Sequence, residues 1–328
     1  MSVSIMKRLY KNLVLMSLAL LVVVLSSCSG SDYLNAIPKK STALISVDLQ
    51  QMASDKNAED KAGMLKSLLH VDDVDKCGID ISEKLYLFES ADGNLGLCAK
   101  VSDEGDVEDW LASLAKKRIA SEVKERKGFH FSVLKDSWLV GFSGQALLVM
   151  GPVVADAQAQ LQQQMVKYLK AEEEDGITVS PMYERLQTLS SPMAMVAQAQ
   201  ALPEKFVAPF TLGAPKDTDP SQVVIAADMK VKDGILQIQG ETFSFNETID
   251  KALQKAAQNY RPIKGSYVKS MPDDALAGIF MNVNGEQFLP MMQSNRSLQT
   301  LLMGINQAVD MDNIMRSVDG DMAIVLPT

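Results

Sequence analysis

An α+β fold, antiparallel sheets with packed helices in two related units of which the second is incomplete, follows from three observations. Short segments of alternating apolar residues, bounded by Gly, Pro and Asp turns, read as strands paired in hairpins. Segments with apolar residues three and four apart read as helices between them. Finally, the two ends of the chain carry the same residues at the same offsets. Composition agrees, since 328 residues with 47% apolar side chains, 22% charged side chains and three cysteines describe an ordinary globular protein. Those values exclude low complexity, a collagen repeat, a dense disulfide scaffold and a multi-span membrane protein.

Residues 1–27 read as a removable secretory signal. Lys7, Arg8 and Lys11 form a basic start, and an apolar run of 13 residues from Leu13 to Leu25 follows, interrupted by Ser17. A bilayer's hydrocarbon core needs roughly 20 residues, so the run is too short to span it. The run ends in Leu25-Ser26-Ser27-Cys28, which resembles the lipobox of bacterial lipoproteins, whose thiol is acylated and becomes the first mature residue. The resemblance makes Cys28 the lipidation site and the membrane the first partner. Loss of the leader's three cations takes the net charge from −9 to −12, an acidic body that repels phosphate backbones and argues against nucleic acid as a partner. Ser29 in place of aspartate after the cysteine points to the outer membrane, on either its periplasmic or its outward face. Residues 28–36 read as the lipidated cysteine and a short polar tether, whose last eight residues reach at most about 27 Å.

The first α+β unit is expected over 37–152. Ala43 to Leu49 alternates after the Pro38 turn and predicts a strand. A helix near 56–69 follows, then a hairpin of Lys84–Glu89 and Leu95–Val101 turning at Asp92-Gly93. A helix over 106–120 and strands at 129–134, 137–142 and 146–150 complete the unit. The middle region, 153–270, carries a Gln-rich helix from about Val154 to Glu174 with Val154, Leu161, Met165, Tyr168 and Leu169 on its packed face. It continues with a strand Ala194–Ala199, a helix starting near Pro203 and a long hairpin, Gln222–Val231 and Ile235–Phe245, turning through Lys232-Asp233-Gly234.

Residues 271–328 read as a partial second copy. Pro272, Ala277 and Ile279 repeat Pro38, Ala43 and Ile45 at an offset of 234, and Asp321–Leu326 stands where Lys84–Glu89 stands in the first copy. An apolar run that wants a sheet partner two residues before Thr328 suggests a truncated domain, the alternative being an edge strand completed by the first half.

Tyr33-Leu34-Asn35-Ala36-Ile37-Pro38-Lys39-Lys40 leading to Ala43-Leu44-Ile45-Ser46-Val47-Asp48-Leu49, directly behind the lipobox, resembles a family of Bacteroidetes lipoproteins classed as a domain of unknown function. Gly78-Ile79-Asp80-Ile81-Ser82, Trp138-Leu139-Val140-Gly141-Phe142 and Ser317-Val318-Asp319-Gly320-Asp321-Met322-Ala323 are similar too. Members run past the Asp-Gly-Asp segment, which again implies a shortened chain. The family brings no catalytic residues to carry over, and its motifs identify a fold and not a chemistry.

The residues themselves assemble no catalytic, cofactor-binding or metal motif. His70 and His130 stand far apart, outside any zinc spacing. Asp72, Asp73, Asp75 and Asp80 fail as an EF-hand loop, because Cys77 falls at position five and Lys84 at twelve. Gly141-Phe142-Ser143-Gly144-Gln145 lacks the second glycine of a nucleophile elbow and reads as a hairpin turn. Ser113 to Lys116 and Ser132 to Lys135 match Ser-x-x-Lys without its partner motifs. Cys77 and Cys98 bridge only if the chain folds back at Gly78, and Cys98 otherwise reads as a buried apolar thiol. Trp110 and Trp138 fall in core patterns, which argues against a glycan platform, and the 19 methionines read as flexible core at helical spacing.

The expectation is therefore a lipid-anchored, non-catalytic binding or structural module of the cell envelope, whose partner is an envelope protein or an extracellular ligand. The competing expectation is an envelope hydrolase whose carboxylates converge only in the fold.

Overall fold

A computed structural model describes residues 30–52, 63, 66, 73–232, 235–267, 270 and 275–327. The signal and Cys28 lie outside the described residues, as does the helix expected over 56–69, save that 63 and 66 are helical. In chain order the elements are β1 (Ala43–Val47), the single turn α1 (Leu49–Met52), β2 (Leu85–Glu89), β3 (Leu95–Lys100), α2 (Glu104–Lys116), β4 (Lys124–Arg126), β5 (Phe129–Leu134), β6 (Trp138–Phe142), β7 (Ala146–Gly151) and α3 (Gln158–Leu169). They continue with α4 (Pro181–Gln187), β8 (Met193–Gln198), α5 (Glu204–Phe210), β9 (Val224–Lys232), β10 (Ile235–Phe243) and α6 (Glu247–Ala257). The last are β11 (Ala275–Asn284), α7 (Gly285–Ser294), α8 (Arg296–Asn306), α9 (Met311–Ser317) and β12 (Asp319–Pro327). Strands and helices mix as an α+β fold requires.

The described residues fall into two compact units. One comprises 30–39, 73–83 and 97–179, and its strands run in the order β3-β7-β6-β5-β4. β5, β6 and β7 are successive antiparallel hairpin partners, with Ser132 opposite Val140 and Val140 opposite Val149. Val107, Leu111 and Leu114, on one face of α2, pack with Val140, Phe142 and Leu147 in a buried cluster. Spacing at three and four places the three helix residues together, and burying side chains of that size stabilises by about 1.5–3 kcal/mol each. Asp103 caps α2 by accepting from Asp106 N–H at 2.9 Å, so the helix begins two residues before its expected start. It stops at Lys116 because Arg118 turns left-handed, with φ of 58°.

The second unit comprises 40–52, 84–96 and 180–327, and its strands run β10-β9-β8-β1-β2. β1 sits between β2 and β8, antiparallel to both, with Ile45 opposite Leu87 on one side and Met195 on the other. β1 ends at Val47, before the expected Leu49, because Asp48 accepts from Gln51 N–H and starts α1. β11 and β12 pair separately as a two-stranded antiparallel sheet, with Ile279 opposite Ile324. The final apolar run thus finds its partner in β11. Val283, Phe288, Leu289, Leu302 and Met315 form the core beneath. Gly285 is required there, since a Cβ would stand 1.7 Å from the Met315 carbonyl oxygen. Side-chain caps open the later helices: Asn246 for α6, Asn284 for α7, Asn295 for α8 and Asp310 for α9.

Two further expectations change. α3 covers only 158–169 of the helix expected over 154–174, and Val154 is 73% exposed, outside the packed face. The acidic end, Glu173–Asp175, forms a 3-10 turn instead, because its backbone pairs with the incoming chain. Lys39 N–H donates to the Asp175 carbonyl at 3.1 Å, and Pro38 bridges Gly176. The tether expected over 28–36 changes for the same reason, and its folding defines the site below.

Candidate functional site

Residues 32–36 are a packed 3-10 turn and not a solvated tether. Tyr33, Leu34, Ala36 and Ile37 are buried, Ile37 completely. The turn packs on β7, on α3 and on the 3-10 turns at Glu173–Asp175 and Ile177–Val179. Gly176 permits the approach, as a Cβ there would lie 2.7 Å from the Asn35 Cα. The Tyr33 carbonyl accepts from the Cys98 thiol at 3.4 Å, and Lys39 Nζ holds Asp175 at 3.1 Å. Apolar burial, backbone pairing and a buried thiol therefore tie this segment to the first unit from both ends.

The first described residue, Gly30, rests against an ion cluster. A Cβ built on it would lie 3.6 Å from Glu83 Oε1 and 3.7 Å from Lys100 Nζ. Lys100 Nζ contacts Asp80 Oδ2 at 3.2 Å and Glu83 Oε1 at 3.3 Å. Ser82 donates to Asp80 Oδ1 through both its hydroxyl, at 2.5 Å, and its N–H, at 3.1 Å. The Ser82 hydroxyl is the chief reason that the Asp80 carboxyl lies below its ordinary pKa; partial burial opposes it and Lys100 adds to it. Burial alone would lower the Lys100 ammonium, but its bonds to Asp80 and Glu83 together overcome burial and raise it. One cation thus stands between two carboxyl groups. In sequence Asp80 and its neighbours fail as a calcium loop, and nothing in the spacing links residues 30, 83 and 100, which only the fold brings together.

The other sequence candidates resolve into structure. Gly78, at φ of 71°, lets α2 start against it: Ser102 and Asp103 N–H donate to its carbonyl, and a Cβ would meet the Asp103 oxygen at 2.3 Å. Cys77 and Cys98 are both completely buried and not disulfide-linked, and desolvation pushes the Cys98 thiol far up. His130 Nδ1 lies 3.1 Å from Glu104 Oε1, and its ring stacks on Phe142 with centroids 5.2 Å apart. His70 and Asp72 lie outside the described residues. Ser143 is the hairpin turn expected of it, accepting from the N–H groups of Gln145 and Ala146. Ser113 donates to the Trp110 carbonyl and Ser132 to the Ser121 carbonyl, so each hydroxyl is spent on backbone. Trp110 and Trp138 are half-buried. Among the described residues, no group of three or more His, Cys, Asp or Glu side chains could hold a metal ion.

Two further features lie in the second unit. An open cleft of about 480 Å³ lies beside the 211–220 loop, where Lys216 and Arg296 stand with Asp217, Asp219, Thr211 and Asn295. Asn295 ties its walls together, donating to the Ala208 carbonyl and to Thr211 Oγ1 while capping α8. Elsewhere, Asp321 accepts from the N–H groups of Lys264 and Ser266, both at 3.0 Å, and from Asn282 Nδ2 at 2.9 Å. These bonds, the backbone pair foremost, hold its carboxyl below the ordinary value.

Antiparallel strand runs covered by capped helices define an α+β protein. Residues 49–327, well over half of the chain, match a domain of unknown function (DUF4836), and the chain belongs to that family. No curated protein matches it. Among solved structures, crystal form IV of TP0453 is similar at 11% identity with a TM-score of 0.39, covering 64% of this chain and 79% of that one. Crystal form III gives 11% identity and a TM-score of 0.37, covering 70% and 88%. Likenesses of that size carry no argument about function.

Proposed function

We propose that this is an exported cell-envelope protein of the Bacteroidetes lipoprotein type, held through acylated Cys28 at the outer membrane. Its body acts there as a non-catalytic binding or structural module for an envelope protein or an extracellular ligand. The observation that carries the reading is the basic, apolar and small-residue series ending at Leu25-Ser26-Ser27-Cys28. Two or three acyl chains, at about 0.8 kcal/mol per buried CH₂, hold a protein at a membrane durably where one chain does not. The packing of residues 32–37 supports it, because a body that grips its own N-terminal segment is stably attached to whatever holds residue 28.

The internal repeat belongs to the same reading. Both ends supply an antiparallel pair, Ile45 with Leu87 and Ile279 with Ile324, which supports reading 271–328 as a partial second copy of the segment that opens at Pro38.

The test is metabolic labelling with an alkyne fatty acid, followed by density fractionation of the envelope. Wild type is expected to carry label and to sediment with the outer membrane, whereas Cys28→Ala carries none and leaves the membrane fraction. Equal labelling of the two, or a labelled protein in the inner-membrane fraction, overturns the anchor or its address respectively.

A further inference from the structure

We infer that the end of the first unit bearing the Lys100 ion cluster and the β6–β7 turn lies on the headgroups of the membrane that anchors Cys28, with the Lys135–Asp136 turn pointing away. The inference rests on acylation of Cys28 as proposed above and adds an orientation to it. A leash of eight residues would let the body tumble freely, but the chain runs beside the body by residue 30 and is buried in it from Tyr33. From Cys28 to Gly30 there are two residue steps, at most about 7 Å of extended chain. The headgroup layer on one side of a bilayer is about 5–7 Å thick. Gly30 therefore sits at its outer edge, beside Lys100 and Glu83, whose side-chain tips would lie 3.6–3.7 Å from a Cβ built on it.

Strand geometry then fixes which parts of the unit are near and which are far. Val101 N–H donates to the Gln145 carbonyl, and Ser143 N–H to the Ala146 carbonyl, so the end of β3 lies beside the β6–β7 turn. Glu104 reaches the same turn, 3.5 Å from a Cβ built on Gly144. The five residues of β6 separate that turn from Lys135–Asp136 at the opposite end, a rise of about 17 Å at ~3.4 Å per residue. Three strand spacings between β3 and β5 add about 14 Å sideways. Asp80, Glu83 and Glu104 outnumber Lys100 at the near end, so no basic patch draws this face to lipid. The short leash alone holds it there.

The test uses full-length, acylated protein in phosphatidylcholine vesicles containing a headgroup-nitroxide lipid. A bimane fluorophore is attached at Ser102→Cys, near the cluster, or at Lys135→Cys, in the far turn. Both sites are exposed, and the buried Cys77 and Cys98 do not compete for label. The mass of the N-terminal peptide reports acylation independently. The expected result is an acylated peptide with at least twofold stronger quenching at 102 than at 135. Acylation with equal quenching, or stronger quenching at 135, overturns the orientation and leaves the anchor standing. An N-terminal peptide without acyl mass overturns both.

Discussion

Gly176→Ala tests whether residues 32–36 belong to the folded body. A Cβ at 176 would lie 2.7 Å from the Asn35 Cα and 3.0 Å from its Oδ1. Carbon atoms attract best at about 3.5–4.0 Å, so one backbone must retreat by roughly 1 Å. Because the nearest atom is backbone, no side-chain rotation relieves it. Overpacking of this kind costs about 1–3 kcal/mol. Gly176 has φ of −78° and ψ of 167°, which alanine adopts without strain, so the stiffer unfolded chain returns about 0.4–1 kcal/mol. The net expectation is a loss of about 1–2 kcal/mol.

Trp110 and Trp138 are the chain's two tryptophans, and both lie in the first unit, so urea unfolding followed by tryptophan fluorescence reads the unit concerned. With a urea slope of about 1–3 kcal/mol/M, the midpoint should fall by about 0.3–2 M. Gly144→Ala is the control: its nearest neighbour is the far end of Glu104 at 3.5 Å, and its midpoint should not fall. A Gly176→Ala midpoint equal to wild type would mean that the turn does not press on residue 176, and the packing argument would fail with it.

The remaining expectations are shorter. Gly285→Ala forces a Cβ onto the Met315 carbonyl and should cost the second unit more than Gly176→Ala costs the first, read as lost helical circular dichroism at lower urea; an unshifted transition would refute the close approach. Asp321 has a folded pKa below the usual 3.8, so its contribution is fully present above pH 3.8 and is lost as pH falls through the folded value. Asp321→Asn should therefore be less stable at neutral pH and flatter in its acid unfolding, and a wild-type carboxyl resonance that titrates at or above 3.8 would contradict this. Cys77 and Cys98 should resist a thiol reagent in the native state and react together on unfolding, as counted by mass; rapid native modification of Cys98 would show that its burial is wrong.

Much of the fold was legible where local and tertiary demands coincide. The Asp92-Gly93 turn, with Gly93 at φ of 77°, and the alternation through β5, β6 and β7 were readable because a hairpin's signals are contiguous. α6 was missed although Ile249, Leu253 and Ala256 form its buried face and Asn246 its cap, a pattern that a search for three-and-four spacing could have found. α7 contains Pro290, which in sequence argues against a helix there. β4 is three exposed charged residues, with no sequence sign of a strand.

The candidate site was hidden for a different reason. Ser29, Ser31 and Asp32 made the N-terminal segment look solvated, while Tyr33, Leu34, Ala36 and Ile37, which bury it, are too few to show a period. Their partners lie more than 60 residues away, at Cys98 and Gly176. Burial of so short a segment is decided by those distant contacts, and an isolated stretch of sequence carries no record of them.

On the proposed acylation of Cys28, anchoring and folding form one equilibrium. With residues 32–37 packed and Gly30 held beside Lys100 and Glu83, the chain between Cys28 and the body is two residue steps, about 7 Å. Were that segment to unpack, the nearest fixed point would become the Pro38–Lys39 pairing with 175–176, and the reach would grow to about 33–36 Å. Local opening of this kind has its own free energy, smaller than that of global unfolding. Every substitution that weakens the grip on residues 32–37 therefore lengthens the leash before it unfolds the unit. Gly176→Ala should accordingly reduce headgroup quenching at position 102 in protein that remains folded and acylated. A purely passive tether would leave that quenching unchanged, which separates an N-terminal segment that positions the body from one that merely connects it.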